Sequence, residues 1–268
     1  MFLQDSIEQK ISSALGEKIS EQELRNCIET AQTIDVQVAK LFWQTTEAEK
    51  GIYIVLEGKV RLLDYFENLV TTFCAGESFG EATLFEQQEF IPYAARASHK
   101  LKVCFLKQEI LQSLIDKYPK IRQKLLDKAE FWDLLLLCRQ NSHFPEHSSQ
   151  VNGLIKALSL FEKHRLEVSA KIPAQEDFQL WLLHQGEILN SDGELLKLGK
   201  IYPLKKQDKL QVEKATVAYF LKQEDLQTAL QYCPELAEFT SDGDRSEIIP
   251  KKRISPKRQL PHRRSLLE

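Results

Sequence analysis

The sequence predicts an α+β protein built from two antiparallel β-rolls of the jelly-roll type, each flanked by helices. From residue 33 onward, strand patterns follow one another without the long helices that separate the strands of a parallel sheet. Helical periodicity returns after Lys107. The segment FLKQE occurs at Phe105–Glu109 and again at Phe220–Glu224, which indicates that the second half repeats the first.

The N-terminal residues 4–31 are predicted to be helical, because apolar side chains recur at four-residue spacing from Ile7 to Ile19. Ser20 and Glu23 have the spacing of a capping box that opens a second short helix. The β-branched and apolar runs that follow predict the strands of the first roll, at residues 33–38, 51–63, 70–73 and 101–106.

Within Gly51–Leu63, two apolar segments are separated at Glu57-Gly58, which predicts two strands around a tight turn. After Lys107 one apolar helix face runs to residue 115, and Pro119 is expected to restart the helix, which continues to about Cys138. Two rolls are therefore predicted, at residues 33–106 and 165–221, each followed by helices.

The repeat extends beyond FLKQE. Phe105–Ile121 and Phe220–Leu236 match at eight of seventeen positions, including Pro119 and Pro234. The Gly58–Gly186 pair is 128 residues apart and the FLKQE pair is 115 apart, so the second copy lacks thirteen residues between these landmarks. We therefore predict one domain at residues 1–140, a degenerate second copy at 150–240, and a disordered tail or linker at 241–268.

Charge is unevenly distributed. The net charge is −3, yet residues 241–268 hold eight Lys or Arg and four Asp or Glu. The body is mildly acidic and lacks the basic field that sequence-independent nucleic-acid binding needs, so no specific nucleic acid is expected as a partner. The basic, Pro-containing tail is typical of a solvated linker.

Five widely spaced cysteines without a CxxC pair predict reduced thiols, with no disulfide framework and no zinc or other metal site. The N-terminus has no signal-peptide pattern. No apolar run approaches the ~20 residues of a membrane-spanning helix. We therefore expect a cytoplasmic protein, with any membrane association arising through a larger protein.

The segment Gly76–Ser98 carries the candidate binding chemistry. Gly80 follows a strand and frees the backbone to turn, and Glu81 and Ala82 then open a short helical turn whose N–H groups favour an anion such as phosphate. The Glu81 carboxylate can accept a hydrogen bond from a ribose hydroxyl. Apolar side chains would wall this pocket: Phe79, Leu84 and Phe85.

With the strand pair around Gly58, the FGE-x-x-L pattern at Phe79–Leu84 and the helices that follow, residues 33–138 resemble the cyclic nucleotide-binding domain family. The resemblance implies that cyclic AMP or cyclic GMP is the ligand class. It also implies that Gly80 and Glu81 contact the phosphate and ribose, with Ala82 and Thr83 contributing from the same turn.

One position departs from the family pattern P-R-[AST]-A, in which Arg neutralises the cyclic phosphate. The matching segment is Pro92-Tyr93-Ala94-Ala95, which places Tyr93 at the Arg position. A phenol carries no charge, and losing a charge-assisted hydrogen bond costs ~2–3 kcal/mol. Arg96 is the alternative cation, although positions 93 and 96 face opposite sides of a regular strand. We expect cyclic nucleotides to bind weakly or not at all.

The second copy has KLGKIYPL (Lys197–Leu204) between its strands and no FGE motif. The function indicated is a regulatory ligand-sensing or interaction module. The tandem layout resembles the N-terminal region of bacterial, notably cyanobacterial, peptidase-containing ABC exporters, which implies a downstream peptidase or transporter domain as partner.

Two other classes of function fit the sequence less well. A transcription regulator of the catabolite activator class requires a helix-turn-helix after Cys138, where a strand-rich segment is predicted instead. An enzyme is not expected, because no nucleophile, metal or P-loop motif occurs. The Phe131-Trp132 pair fits core packing, a homodimer contact or a ligand cap.

Overall fold

The structure is a computed structural model, and it describes residues 2–85, 87–98, 100–140, 148–172, 177–204 and 209–240. The elements follow in the order α1 (Phe2–Leu15), α2 (Glu21–Thr30), β1 (Gln32–Val36), β2 (Leu41–Gln44), β3 (Gly51–Glu57), β4 (Lys59–Leu63), β5 (Leu69–Cys74), β6 (Ser78–Phe79), a 3₁₀ turn (Glu81–Leu84), β7 (Ala94–Ala97), β8 (Leu101–Lys107), α3 (Gln108–Lys117), α4 (Pro119–Gln140), α5 (Ser148–Leu158), β9 (Glu162–Leu166), β10 (Phe178–Leu189), β11 (Ile201–Pro203), β12 (Gln211–Lys222), α6 (Leu226–Tyr232) and a second 3₁₀ helix (Pro234–Phe239).

The first unit is a β-roll made of two four-stranded antiparallel sheets. One sheet has the order β1-β8-β3-β6 and the other has the order β2-β7-β4-β5. The inward-facing side chains of both sheets form one apolar core. The predicted fold class, α+β with antiparallel sheets and flanking helices, is confirmed.

The two strands predicted around Glu57-Gly58 within Gly51–Leu63 are present, but they do not pair with each other. Instead, β3 pairs with β6 and β8, whereas β4 pairs with β5 and β7. Gly58 has φ +86°, and a Cβ there would lie 2.3 Å from the carbonyl oxygen of Lys100. The glycine is needed because the chain crosses between sheets against another backbone.

The N-terminal helices cover the outer face of the first sheet. The predicted capping box is present: the Ser20 side chain accepts the Glu23 N–H, and the Glu23 carboxylate accepts the Ser20 N–H. Apolar residues of α1 and α2, including Ile11, Leu15 and Cys27, pack against β3, β8, α3 and α4 in a separate buried cluster. These helices therefore close one side of the roll.

The second unit contains one four-stranded antiparallel sheet of order β11-β10-β12-β9. Its two central strands are twelve residues long and contain several register shifts, which bend them. One sheet face packs on α4, α5 and α6 and joins the first unit's core. The helix α5 was not predicted from the sequence.

The two FLKQE segments lie at comparable places in the chain. Phe105–Glu109 runs from β8 into α3, and Phe220–Glu224 runs from the end of β12 towards α6. Pro119 is the first residue of α4, and Pro234 is the first residue of the second 3₁₀ helix. The predicted tail at 241–268 lies outside the described residues. Among the residues described, no helix is both long and apolar enough to cross a membrane.

Candidate functional site

The candidate site is built on the turn at Gly80. This residue has φ +95° and precedes the 3₁₀ turn Glu81–Leu84. A Cβ at Gly80 would lie 2.9 Å from the carbonyl oxygen of Gly51, so both the backbone angle and the space favour glycine. The Thr83 hydroxyl is 2.8 Å from the Gly80 carbonyl oxygen and accepts the Gly51 N–H at 3.0 Å. The turn is thereby fixed against the start of β3.

The N–H group of Gly80 is occupied by a side chain of the same domain. It donates a hydrogen bond to the hydroxyl oxygen of Tyr93 at 3.0 Å. The Tyr93 backbone is tied to β2, because the Thr45 N–H and hydroxyl both donate to its carbonyl oxygen at 3.0 Å. Tyr93 is therefore held from two sides, with its hydroxyl at the segment Phe79–Leu84, the cassette.

Tyr93 is a neutral group in this setting. Its side chain is buried, and burial raises the pKa of Tyr93, with a further contribution from the nearby Glu81 carboxylate. A buried neutral phenol can accept the Gly80 N–H but brings no positive charge to an anion.

The Glu81 carboxylate is fully buried and is already partnered. Its Oε1 atom accepts a hydrogen bond from the Ser78 hydroxyl at 2.5 Å and lies 2.9 Å from Nζ of Lys128 on α4. Lys128 also donates to the Ser78 carbonyl and hydroxyl oxygens, each at 2.6 Å. The Oε1 atom is thus engaged in an internal ion pair, whereas Oε2 is buried without a hydrogen-bond partner among the described residues.

Aromatic rings fill the interior of the roll above the turn. Trp43 lies 4.9 Å from the Tyr93 ring centroid and 5.4 Å from that of Phe79. Tyr53 stacks on both Phe79 and Phe105, at 5.3 and 4.3 Å. All five side chains are buried. Aromatic packing of this density stabilises the roll and occupies space that faces the cassette.

The predicted site residues fall into two groups. Phe79, Gly80, Glu81, Ala82, Thr83 and Tyr93 are brought together at the turn. Ala94 and Arg96 lie on the outer side of β7, where alternate residues are partly exposed. Arg96 donates to the Glu67 carboxylate at 2.7 Å. The structure therefore places Arg96 away from the turn, on the opposite face from Tyr93.

Sequence reasoning missed the residues that complete this site. Lys128 lies 47 positions after Glu81, on a helix whose polar residues look like a solvated face. Thr45 directly follows β2, a strand that was not predicted. Ser78 precedes the FGE motif directly, which was its one available signal. Outside the roll, a groove of about 540 Å³ runs beside the turn between Thr45, Lys50, Thr83 and Phe90.

One protein-family model matches part of the first unit. The sequence profile of the cyclic nucleotide-binding domain matches residues 39–118. A cyclic nucleotide-binding domain is present. It includes the Gly80 turn, Glu81 and Tyr93, and the predicted family resemblance is confirmed for this part of the chain.

Solved structures similar to the chain are distant. The regulatory domain of Toxoplasma gondii protein kinase A with cAMP is 12% identical at a TM-score of 0.41, covering 88% of this chain and 95% of that one. The sensor domain of the transcriptional regulator DNR from Pseudomonas aeruginosa is 16% identical at 0.40, covering 45% and 88%. A regulatory subunit of a cAMP-independent protein kinase A from Trypanosoma cruzi, bound to guanosine, is 12% identical at 0.38, covering 88% and 86%. Comparison with curated proteins gave no match.

No cluster of three or more His, Cys, Asp or Glu residues that could hold a metal ion lies in the described part of the chain.

Proposed function

We propose that this chain is a regulatory interaction module whose cyclic nucleotide-binding cassette is closed by its own side chains. The observation that carries the proposal is the hydrogen bond from Gly80 N–H to the Tyr93 hydroxyl. This N–H is the donor that a bound phosphate oxygen would use in a site of this kind. A nucleotide would have to displace Tyr93 and then bind without a cation at that position.

The balance of interactions disfavours cyclic AMP and cyclic GMP. Displacing Tyr93 leaves its hydroxyl without the N–H donor, and the missing guanidinium removes a charge-assisted contact of ~2–3 kcal/mol. Lys128 is the cation paired with Glu81 at the turn, and Glu81 and Ser78 already use its donors. We expect dissociation constants of roughly tens of micromolar or weaker.

Titration calorimetry with cyclic AMP and cyclic GMP tests this proposal. The wild type is expected to be inert below roughly ten micromolar, and Arg96→Ala serves as a control that also leaves the signal unchanged. Tyr93→Arg restores the family's residue and is expected to create measurable affinity. Submicromolar binding to the wild type would contradict the proposal, and its loss in Arg96→Ala would identify the cation responsible. If Tyr93→Arg also stays inert, the site has diverged at further positions and acts in protein interaction alone.

We infer further that residues 150–240 are a degenerate second copy of this domain. Strand pairing supports the inference: Tyr53 pairs with Phe105, and Trp181 pairs with Phe220. These pairs are separated by the same 128 and 115 positions that separate the repeated glycines and the FLKQE segments. The sheet order β11-β10-β12-β9 has the same form as β6-β3-β8-β1.

The two glycines give independent support. Gly186 has φ +93°, and a Cβ there would lie 2.6 Å from the carbonyl oxygen of Ala215. Gly58 has the same relation to Lys100, and Lys100 and Ala215 are themselves 115 positions apart. An experimental structure that pairs β10 and β12 in another register would contradict the duplication.

The proposed equivalence locates the missing residues. Phe79 on the edge strand β6 pairs with Tyr53, and Tyr202 on the edge strand β11 pairs with Trp181. Phe79 and Tyr202 are 123 positions apart, whereas Phe105 and Phe220 are 115 apart, so the second unit lacks eight residues between these two pairs. Eight of the thirteen missing residues therefore fall in the cassette segment, and the remaining five precede β11.

The larger context proposed for the module is the N-terminal cytosolic part of an ABC-type peptide or protein exporter, without catalytic activity of its own. The tandem layout and the basic, Pro-containing residues 241–268 support this context. Sequencing the gene beyond the codon for Glu268 tests it. A cysteine-peptidase domain followed by membrane-spanning segments is expected, and a DNA-binding domain would contradict the proposal. The segment after α4 favours the module over a transcription regulator, because α5 and a strand-rich unit follow it in the described residues.

A further inference from the structure

A single carboxylate on α4 connects the two units. Asp133 is almost fully buried, and its Oδ1 atom accepts a hydrogen bond from the Ile91 N–H of the first unit at 2.6 Å. Its Oδ2 atom lies 2.7 Å from Nε2 of His184, a buried residue of β10 in the second unit. Each oxygen of Asp133 therefore contacts a different unit.

The contact to Ile91 bears directly on the candidate site. Ile91 is two residues before Tyr93, whose hydroxyl occupies the Gly80 N–H. Along the segment between the Gly80 turn and β7, Asp133 supplies a hydrogen-bond acceptor from α4. The position of Tyr93 is thus fixed at its backbone by Thr45 and, just upstream, by Asp133.

His184 has one polar partner in the described residues. Its Nδ1 atom is buried without a hydrogen-bond partner there, and its Nε2 atom faces Asp133. The ring also lies 5.8 Å from that of Tyr219 on β12. Since a buried imidazole with one partner depends on that partner, the His184–Asp133 contact is expected to be rigid.

Neighbouring residues of α4 strengthen the link. Glu130 is fully buried and contacts Arg165 at 3.0 Å and Lys163, both on β9 of the second unit. Lys128 contacts Glu81 in the cassette. The stretch 128–133 therefore holds the cassette on one side and the second unit on the other.

We propose that the second unit acts as a lock on the cassette: His184 fixes Asp133, Asp133 fixes the segment at Ile91, and Tyr93 is thereby kept in the phosphate position. The lock rests on the proposed function in one respect, namely that Tyr93 occupies the anion site. A partner that binds the second unit and displaces His184 would release Tyr93 and open the turn.

Amide hydrogen exchange of the full chain tests the lock, with the Gly80 and Ile91 amides as reporters. His184→Leu removes the contact to Asp133 and is expected to raise exchange at both amides about tenfold. His184→Gln retains a side-chain donor and is expected to restore protection. Phe178→Leu is the matched control, since Phe178 packs against Phe220 in a buried cluster whose members all come from the second unit.

The exchange rates at Gly80 in the three variants decide whether the lock exists. Faster exchange at Gly80 in His184→Leu, with protection retained in His184→Gln and Phe178→Leu, supports the lock. Unchanged exchange at Gly80 in His184→Leu, or an equal rise in Phe178→Leu, overturns it, because the effect would then be absent or a loss of general stability. Calorimetry on the wild type answers the other question: tight nucleotide binding would overturn the closed-cassette proposal, whereas the exchange result tests the mechanical link.

Discussion

Replacing Lys128 by Met tests the buried ion pair that closes the cassette. Glu81 is fully buried and its Oε1 atom lies 2.9 Å from Lys128 Nζ, so the variant leaves a buried carboxylate without its cation. Breaking one partner of a buried pair typically costs 3–5 kcal/mol. The Lys128 side chain is 25% exposed, which places the expected loss near the lower end, at about 3 kcal/mol.

Urea denaturation followed by circular dichroism measures this loss as a shift of the midpoint at constant slope. A double-mutant cycle with Glu81→Gln isolates the interaction, since a neutral amide no longer needs the cation, and the double variant is expected to recover about 2 kcal/mol. Lys102→Met is the control: its pair with Glu57 is partly exposed and 3.7 Å long, and is expected to contribute less than about 1 kcal/mol. A Lys128→Met variant within about 0.5 kcal/mol of wild type would refute the reasoning.

Three further outcomes are expected. Tyr93→Phe leaves the cassette N–H buried without an acceptor and should lower the unfolding free energy by about 1–3 kcal/mol, measured by urea denaturation. Gly186→Ala and Gly58→Ala should each lower the unfolding free energy by roughly 2 kcal/mol or more, because both glycines have a positive φ and an added Cβ would collide with a backbone carbonyl oxygen. A Gly186→Ala variant as stable as the wild type would contradict the equivalence of the two glycines. Hydrogen bonds to Glu23, the largest contribution being from Lys117, lower the pKa of Glu23 to about 2. Because this folded-state pKa lies below the ordinary value of 4.5, the stabilising contribution of Glu23 is present above pH 4.5 and is lost as the pH falls towards 2. An NMR titration of the Glu23 carboxyl with its midpoint near 4.5 would refute this.

Local signals in the sequence were sufficient to predict the elements whose cause is local. The capping box at Ser20, the helix restart at Pro119 and the strand on either side of Gly58 all follow from short-range chemistry. The partners of those strands did not follow. A glycine between two apolar segments fits a hairpin as well as a crossing between sheets, and the carbonyl of Lys100 that decides the matter is 42 residues away.

The candidate site divides in the same way. The turn at Gly80 and the position of the Glu81 carboxylate on it were predicted from FGE-x-x-L. That Tyr93 leaves the site without a cation stays a prediction. The role of the phenol was not predicted, because its hydroxyl reaches Gly80 only when β7 is folded against the cassette. Lys128 could not be found either, since its ion pair depends on how α4 crosses the roll.

The two units differ in how the polar groups of the cassette turn are accommodated without a ligand. A turn that presents N–H groups and a carboxylate to a ligand leaves buried polar groups unsatisfied when the ligand is gone, and such groups cost ~1–3 kcal/mol each. In the first unit the turn remains, where Tyr93 accepts the Gly80 N–H and Lys128 pairs with one oxygen of Glu81. On the proposed duplication, the second unit lacks eight residues of the same segment, and its sequence there has no FGE motif. A closed cassette can be reopened by moving one side chain, whereas a deleted cassette cannot, which assigns any switching to the first unit and any locking to the second.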